Sequence, residues 1–323
     1  MEHQDRPSPA ETEVASAPDP AAVDSAPTPV AEEAETSTSP DLTEEEIEKA
    51  RQETPLNADI TYEVIRRRGE EELARPLAAL FFSGLAAGLS MGFSLLAEGF
   101  LHTFLPEATW APLVSKLGYS VGFLMVILGS QQLFTENTLT AIIPLLARRT
   151  RKAFLDVAKL WAVVLVANLL GAVIFAWGIS MSSVLDPAVH ESLHVIGLVA
   201  ADGTTWQLIL QGIMAGWLIA LMVWMLPATQ GGKTAIIVLM TYLIGLGGFP
   251  HIIAGSVEVL YAVAHDGLPW TEYLLHWAPA TLLGNVIGGV ALVSALNYAQ
   301  VFAGGGRRRE HIPLRRREPW QMR

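Results

Sequence analysis

The sequence predicts an all-α membrane protein of six transmembrane helices, built as an inverted 3+3 repeat whose second and fifth helices are broken. Three observations predict it. Six apolar runs, over 76–104, 117–147, 153–180, 204–226, 234–262 and 273–303, each supply the ~20 residues that a spanning helix needs. Short motifs recur between the halves: G-L-A-A-G (Gly84 to Gly88) returns as G-I-M-A-G (Gly212 to Gly216), and N-L-L-G-A-V (Asn168 to Val173) as N-V-I-G-G-V (Asn285 to Val290). The first pair lies in runs one and four and the second in runs three and six. A unit of three spans is therefore repeated, and its two copies must face opposite ways. Third, polar or helix-breaking residues interrupt runs two and five. Inverted repeats with such interruptions build transporters and channels, with the site near the bilayer midplane.

Composition supports the class. With 51% hydrophobic and 16% charged residues and a mean hydropathy of +0.37, the chain is too apolar for an ordinary soluble protein. Its net charge of −11 is uneven, since Met1 to Asp59 hold roughly 16 acidic and 3 basic residues, leaving the rest near +2. The acidity therefore describes the tail and says nothing about what crosses the membrane. No aromatic-interleaved basic patch points to nucleic acid. The absence of cysteine excludes disulfides, thiolate metal sites and thiol nucleophiles. A polar, acidic N-terminus does not read as a cleavable signal peptide.

In chain order, 1–57 reads as a disordered acidic cytoplasmic tail rich in Pro, Ala, Ser, Thr and Glu, open to an unidentified cytosolic partner. Within it, Thr43 to Ile47 resembles a capped helix start. Residues 58–75 form an amphipathic cytoplasmic segment carrying Ile60, Val64, Ile65 and Leu73. The six-helix domain occupies 76–303, and 304–323 is a basic cytoplasmic tail. Connections with Arg148, Arg149, Arg151, Lys152, then Lys233, then Arg307 to Arg309 alternate with connections near 105–116, 181–203 and 263–272, whose only basic residue is Lys116. The positive-inside rule then puts both termini in the cytoplasm.

The interruptions carry the chemistry. Gln131 to Thr138 (Q-Q-L-F-T-E-N-T) places a polar knot inside run two, and Gly245, Gly247, Gly248, Pro250 and His251 break run five. Backbone leaves the helix at membrane depth only where protein or a cavity satisfies its polar groups. Thr135 and His251 are 116 residues apart and Asn168 and Asn285 are 117 apart, so the two breaks read as symmetry mates. An ionisable side chain inside a span marks a pathway or relay by default, which selects His251. A dry pore favours neutral imidazole, and an approaching anion reverses that preference, so His251 could lend a proton or a hydrogen bond. The blander role is a histidine bonded to a carbonyl freed by the break. Thr135 is the pore hydroxyl, Asn137 reads as fixing its own loop, and Glu136 fits either role.

These residues resemble the formate/nitrite transporter family. The resemblance rests on L-F-T-E-N-T (Leu133 to Thr138), G-W-L-I-A-L-M-V-W-M (Gly216 to Met225), G-G-F-P-H-I-I-A-G-S-V-E-V-L-Y (Gly247 to Tyr261) and G-N-V-I-G-G (Gly284 to Gly289), and spans about 60–303. The R-R-R-G-E-E-E-L segment and Q-Q-L-F-T-E-N-T are similar to its YfdC-type branch. The resemblance implies an aquaporin-like protomer in the bacterial inner membrane, a homopentamer with one pore per protomer, and small monovalent anions or their weak acids as permeants. It implies no cofactor, no metal and no enzymatic activity. It also implies a central pore histidine, His251, and one constriction from Leu133, Phe134 and Thr135. Phe249 and Ile244 flank the second break, Tyr119 and Phe123 face them, and Glu136, Asn137, Gly247 and Gly248 shape the loops. The family's outer lysine is missing, its place being taken by Ala200 beside Ala201 and Asp202, while Gly216 and Gly255 replace usual asparagines and Pro250 precedes the histidine.

Other chemistries fit less well. H-E-S-L-H (His190 to His194) has zinc-protease spacing, but it lies in a short connection without a cleft, and Ala200 stands where a third histidine would complete the pattern. G-L-S-M-G (Gly88 to Gly92) mimics a nucleophile elbow inside a helix rather than on a strand-to-helix turn, which disfavours an intramembrane hydrolase using Ser90 and His251. A neutral-solute channel would need N-P-A boxes, which are absent. A membrane scaffold recruiting partners through its acidic tail is the remaining alternative. Asp186, Glu191, Asp202, Asp266 and Glu272 face only Lys116 on the outer side, a sign that repels anions. Anion flux is therefore expected to be weak at neutral pH and to rise with acidity, as His190, His194 and His265 gain charge.

Overall fold

An amphipathic helix, α1 (Ala58–Ala74), precedes the apolar bundle, which begins after Pro76. The computed structural model describes residues 58–304 except Gln230 and Asp266, and the side chains of 292, 293 and 302–304 are not described. The expected tails, the helix start at Thr43 and the acid at Asp266 lie outside the described residues.

Among the described residues, five helices are long and apolar enough to cross a membrane: α2 (Leu77–Phe104), α3 (Ala111–Leu128), α6 (Arg151–Ser180), α8 (Thr205–Ala228) and α11 (Glu272–Val301). Between α3 and α6 the chain leaves the helix and then forms α4 (Asn137–Thr140) and α5 (Ile142–Arg148). Two shorter apolar helices, α9 (Lys233–Leu246) and α10 (Ala254–Ala264), flank a second non-helical stretch. The sequence boundaries agree with these to within a few residues, except that α3 begins at Ala111 rather than at 117.

The connection over 181–203 holds the 15-residue helix α7 (Pro187–Ala201), started by Asp186, whose carboxylate accepts from Ala188 N–H at 2.8 Å, and by Pro187 in the first turn. An Asp before a Pro at the first helical position is a start signal, hidden here by the low charge expected of an outer connection.

Close packing explains the repeated glycines. α2 packs along α6, and α8 along α11. A Cβ at Gly88 would stand 2.1 Å from the Asn168 carbonyl oxygen, and one at Gly216 would stand 2.2 Å from that of Asn285. Any side chain at either glycine would push the two helices apart, which matters in lipid, where van der Waals contact replaces the hydrophobic drive. The outward faces carry Phe82, Phe154, Val166, Met181, Trp206 and Leu275, all exposed. Such a surface suits lipid or neighbouring subunits.

Candidate functional site

The two non-helical stretches are held by a matching pair of buried asparagines. Asn168 on α6 accepts from Phe134 N–H at 2.9 Å and donates to the carbonyls of Gly84 and Gln132 at 2.7 and 2.8 Å. Asn285 on α11 accepts from Ile252 N–H at 2.8 Å and donates to the carbonyls of Gly212 and Pro250, both at 2.9 Å. Each amide thus ties a helix carbonyl to both sides of one interruption. An unpaired peptide group buried in hydrocarbon is costly, and three such groups are satisfied by one side chain on each side.

The tips of the two stretches touch. Thr135 Oγ1 and His251 Nε2 lie 2.7 Å apart, with Thr135 1% and His251 0% exposed. His251 Nδ1 accepts from Ile253 N–H at 3.3 Å and Ala254 N–H at 3.2 Å at the start of α10. In the neutral ring an accepting Nδ1 leaves the proton on Nε2, which therefore donates to Thr135; the tautomer is assigned from these bonds. The Phe123 ring stands edge-on to the imidazole, centroids 5.0 Å apart, and Tyr119 lies 5.5 Å from Phe123.

His251 lines a cavity of about 80 Å³, together with Tyr119, Ile244, Phe249, Pro250 and Gly255. Five of the expected site residues, Tyr119, Ile244, Gly248, Phe249 and His251, are thus brought together, with Thr135 and Phe123 in contact with the histidine. Leu133 and Phe134 are not on this cavity: both are buried, and Phe134 packs against Trp161 at 5.5 Å. Asn137 holds its own loop, donating to Gln132 Oε1 and to the Leu133 carbonyl, both at 3.2 Å. Glu136 is buried and meets Arg68 of α1 at 3.5 Å. Gly248 adopts φ +59°, and a Cβ at Gly247 would fall 2.6 Å from the Phe249 ring. Both glycines let the chain turn tightly under that ring.

The lining of this cavity also contains residues that sequence reasoning did not assign to the site. Lys116, Glu258, Asp202, Gln211 and Trp277 line it together with Ala200. The Lys116 ammonium pairs with Glu98 of α2, which is 2% exposed. Trp277 donates to the Ala200 carbonyl at 2.8 Å. The signal existed, because Glu98 and Glu258 are acids inside apolar runs and the rule that selected His251 applies equally to them.

The tempting motifs separate cleanly from this site. His190 and His194 lie on α7, where His190 Nδ1 meets the Tyr261 hydroxyl at 2.6 Å and His194 lies against His265. Among the described residues no group of His, Asp or Glu is placed to hold a metal. His251 Nε2 is engaged by Thr135, not by Ser90.

A bundle of long apolar helices around a buried polar contact defines a multi-pass helical membrane protein, and comparison with known proteins gives its class. The formate/nitrite transporter family model matches residues 59–299, and the chain belongs to that family. The chain is 41% identical to inner membrane protein YfdC of Escherichia coli K12 over 247 residues, 76% of this chain and 80% of that one. It is 24% identical to the formate channel BtFdhC of Bacillus thuringiensis over 255 residues, 73% of this chain and 92% of the other. A solved pentameric formate channel with formate bound shares the fold, with a TM-score of 0.63 at 20% identity, covering 70% of this chain and 98% of that one. The family consists of transporters and channels, and the hydrolase alternative falls with that membership.

Proposed function

We propose that the chain passes small monovalent anions or their conjugate weak acids across the bacterial inner membrane, through a pore in each protomer of a homopentamer. Family membership and the anion names of its relatives support the permeant class. The pentameric neighbour supports the assembly. In this reading the chain makes six spans as an inverted repeat of aquaporin-like shape, with α3–α5 as a broken second span and α9–α10 as a broken fifth. The matching asparagine bonds support the repeat, and the alternating basic connections support cytoplasmic termini and an outward-facing cavity.

One observation carries the reading: the Thr135–His251 contact, where the two interruptions meet beside a cavity that His251 lines. A desolvated anion arriving there needs a hydrogen-bond donor, and either the Thr135 hydroxyl or the Nε2–H supplies it. With Nδ1 held by two backbone N–H groups, His251 offers a hydrogen bond rather than a proton. Ile244 and Phe249 narrow the approach and strip water. The basic test is uptake into proteoliposomes of formate, nitrite and a neutral solute such as glycerol, at two outer pH values. Uptake of the acids that grows as the medium is acidified is expected; glycerol uptake without either acid would overturn the reading.

A further inference from the structure

The cavity above His251 holds a charge arrangement that the contact with Thr135 does not use. Lys116 on α3 and Glu258 on α10 both line it. Glu98 on α2 claims the Lys116 ammonium with one carboxylate oxygen, and its other oxygen, Oε2, is buried without a hydrogen-bond partner. Glu258 is 7% exposed, and its carboxyl makes no hydrogen bond or ion pair with the described residues. A Cβ at Gly255, one turn earlier, would stand 2.7 Å from the Trp277 ring and 3.9 Å from Glu258 Oε2, so the bare glycine lets that ring pack close to the carboxyl.

Two carboxyls against one ammonium leave one negative charge uncompensated in a site largely withdrawn from water. Burying an unpaired charge is far costlier than burying a neutral group, and the cluster reaches neutrality with one proton. The titratable groups around Glu258 are few. Glu98 lies on α2 with His102 one turn further on, Lys116 and Tyr119 lie on α3, Asp202 follows α7, and His251 lines the same cavity. On α7 itself, His190 is bonded to Tyr261 and His194 lies against His265, while Glu272 and His276 of α11 pair with each other.

We propose that Glu258 is a proton-exchange group for the permeant, charge-balanced by the Glu98–Lys116 pair. The proposal rests on the reading of the chain as a path for weak acids. A weak-acid anion drawn to Lys116 takes the proton of the Glu258 carboxyl: the Glu258 O–H bond breaks and an O–H bond forms on the permeant oxygen. The neutral acid moves on toward Ile244, Phe249 and His251. The Glu258 carboxylate left behind is faced by Lys116 until a proton from the medium on that side restores it. The ligand class is therefore an oxyacid anion small enough for the cavity, together with one proton, and no other reactant is needed.

The test compares formate uptake by the full-length protein and its Glu258→Gln and Glu258→Asp variants, in proteoliposomes held at zero potential, with the outer medium near pH 7 and near pH 5. Near pH 5 the neutral acid is about a hundredfold more abundant than near pH 7, so a donor in the cavity matters less. Glu258→Gln is expected to lose about tenfold or more of the uptake near pH 7 and to stay within about twofold of the unmodified protein near pH 5. Glu258→Asp, which keeps a carboxyl, recovers uptake near pH 7. Equal uptake by Glu258→Gln and the unmodified protein near pH 7 overturns the proposal. Equal loss at both pH values in monodisperse protein also overturns it, because that marks a damaged wall. An unmodified protein that carries no formate or nitrite at either pH sinks the functional reading and this proposal together.

Discussion

The two interruptions are built alike and tipped differently. In each, a buried asparagine from a neighbouring long helix accepts one N–H from the unwound stretch and donates to one of its carbonyls and to one on the paired helix. At the tips the likeness ends. The first stretch offers a hydroxyl, Thr135, followed by a buried acid tied to α1. The second offers an imidazole whose Nδ1 also satisfies the first N–H groups of its own helix. The two frames match and their tips differ. Scaffold and site can therefore be perturbed separately.

The largest effect is expected from the frame. Asn168→Ala leaves an N–H and two carbonyls unpartnered, as does Asn285→Ala, and each should destabilise the protein by about 3 kcal/mol or more. Thermal unfolding in detergent should give similar losses for the two; a loss confined to one would break the equivalence of the halves. Next comes helix contact. Gly88→Val and Gly216→Val each force a Cβ to within about 2 Å of a carbonyl oxygen, an overpacking of roughly 1–3 kcal/mol, again matched between halves.

How much of this was legible in the sequence follows the same division. The glycine and asparagine motifs announced the frame because its geometry requires those residues at fixed spacing. Thr135 and His251 were legible because each stands in a polar or helix-breaking knot within an apolar run. Lys116, Glu98 and Glu258 were not assembled, because they sit on three elements, Glu258 far from the other two in sequence, and each acid is one letter in an apolar helix. For the helix α7, Asp186 and Pro187 announce the start, but its packing against α10 joins elements far apart in the chain.

The tips should respond unequally. His251→Asn keeps an acceptor near the start of α10 while removing the Nε2–H, so stability should hold within about 1 kcal/mol while uptake of anions falls. Thr135→Val removes the hydroxyl and leaves Nε2–H without its partner, and its loss of uptake should come with a comparable loss of stability. If both variants lose stability equally, the asymmetry argued for the imidazole is wrong. Adding a cation to the cavity wall with Ala200→Lys should raise anion uptake near neutral pH, because Ala200 lines the chamber, whereas Ala201, which is buried, is the wrong neighbour for that change.

The smallest effect is expected on α1. Glu63 accepts from Arg66 and Arg67, and these guanidiniums hold its carboxyl down to about 2. The folded value lies below the ordinary one of 4.5, so the stabilisation is present above the ordinary value and is lost as pH falls toward 2. The side chain is 39% exposed, and solvent screening limits Glu63→Gln to under about 1 kcal/mol, and less in high salt. A shift in unfolding temperature as large as that of Asn168→Ala would show that α1 is part of the frame.

The central claim is that the permeant crosses the cavity lined by His251, beside its contact with Thr135. The chain has no cysteine, so a thiol introduced by Phe249→Cys is unique and faces that cavity. The direct measurement is formate uptake by this variant in proteoliposomes, before and after reaction with a small water-soluble methanethiosulfonate. The account predicts that modification stops uptake and that formate present during the reaction slows it. Complete modification with uptake unchanged would contradict it.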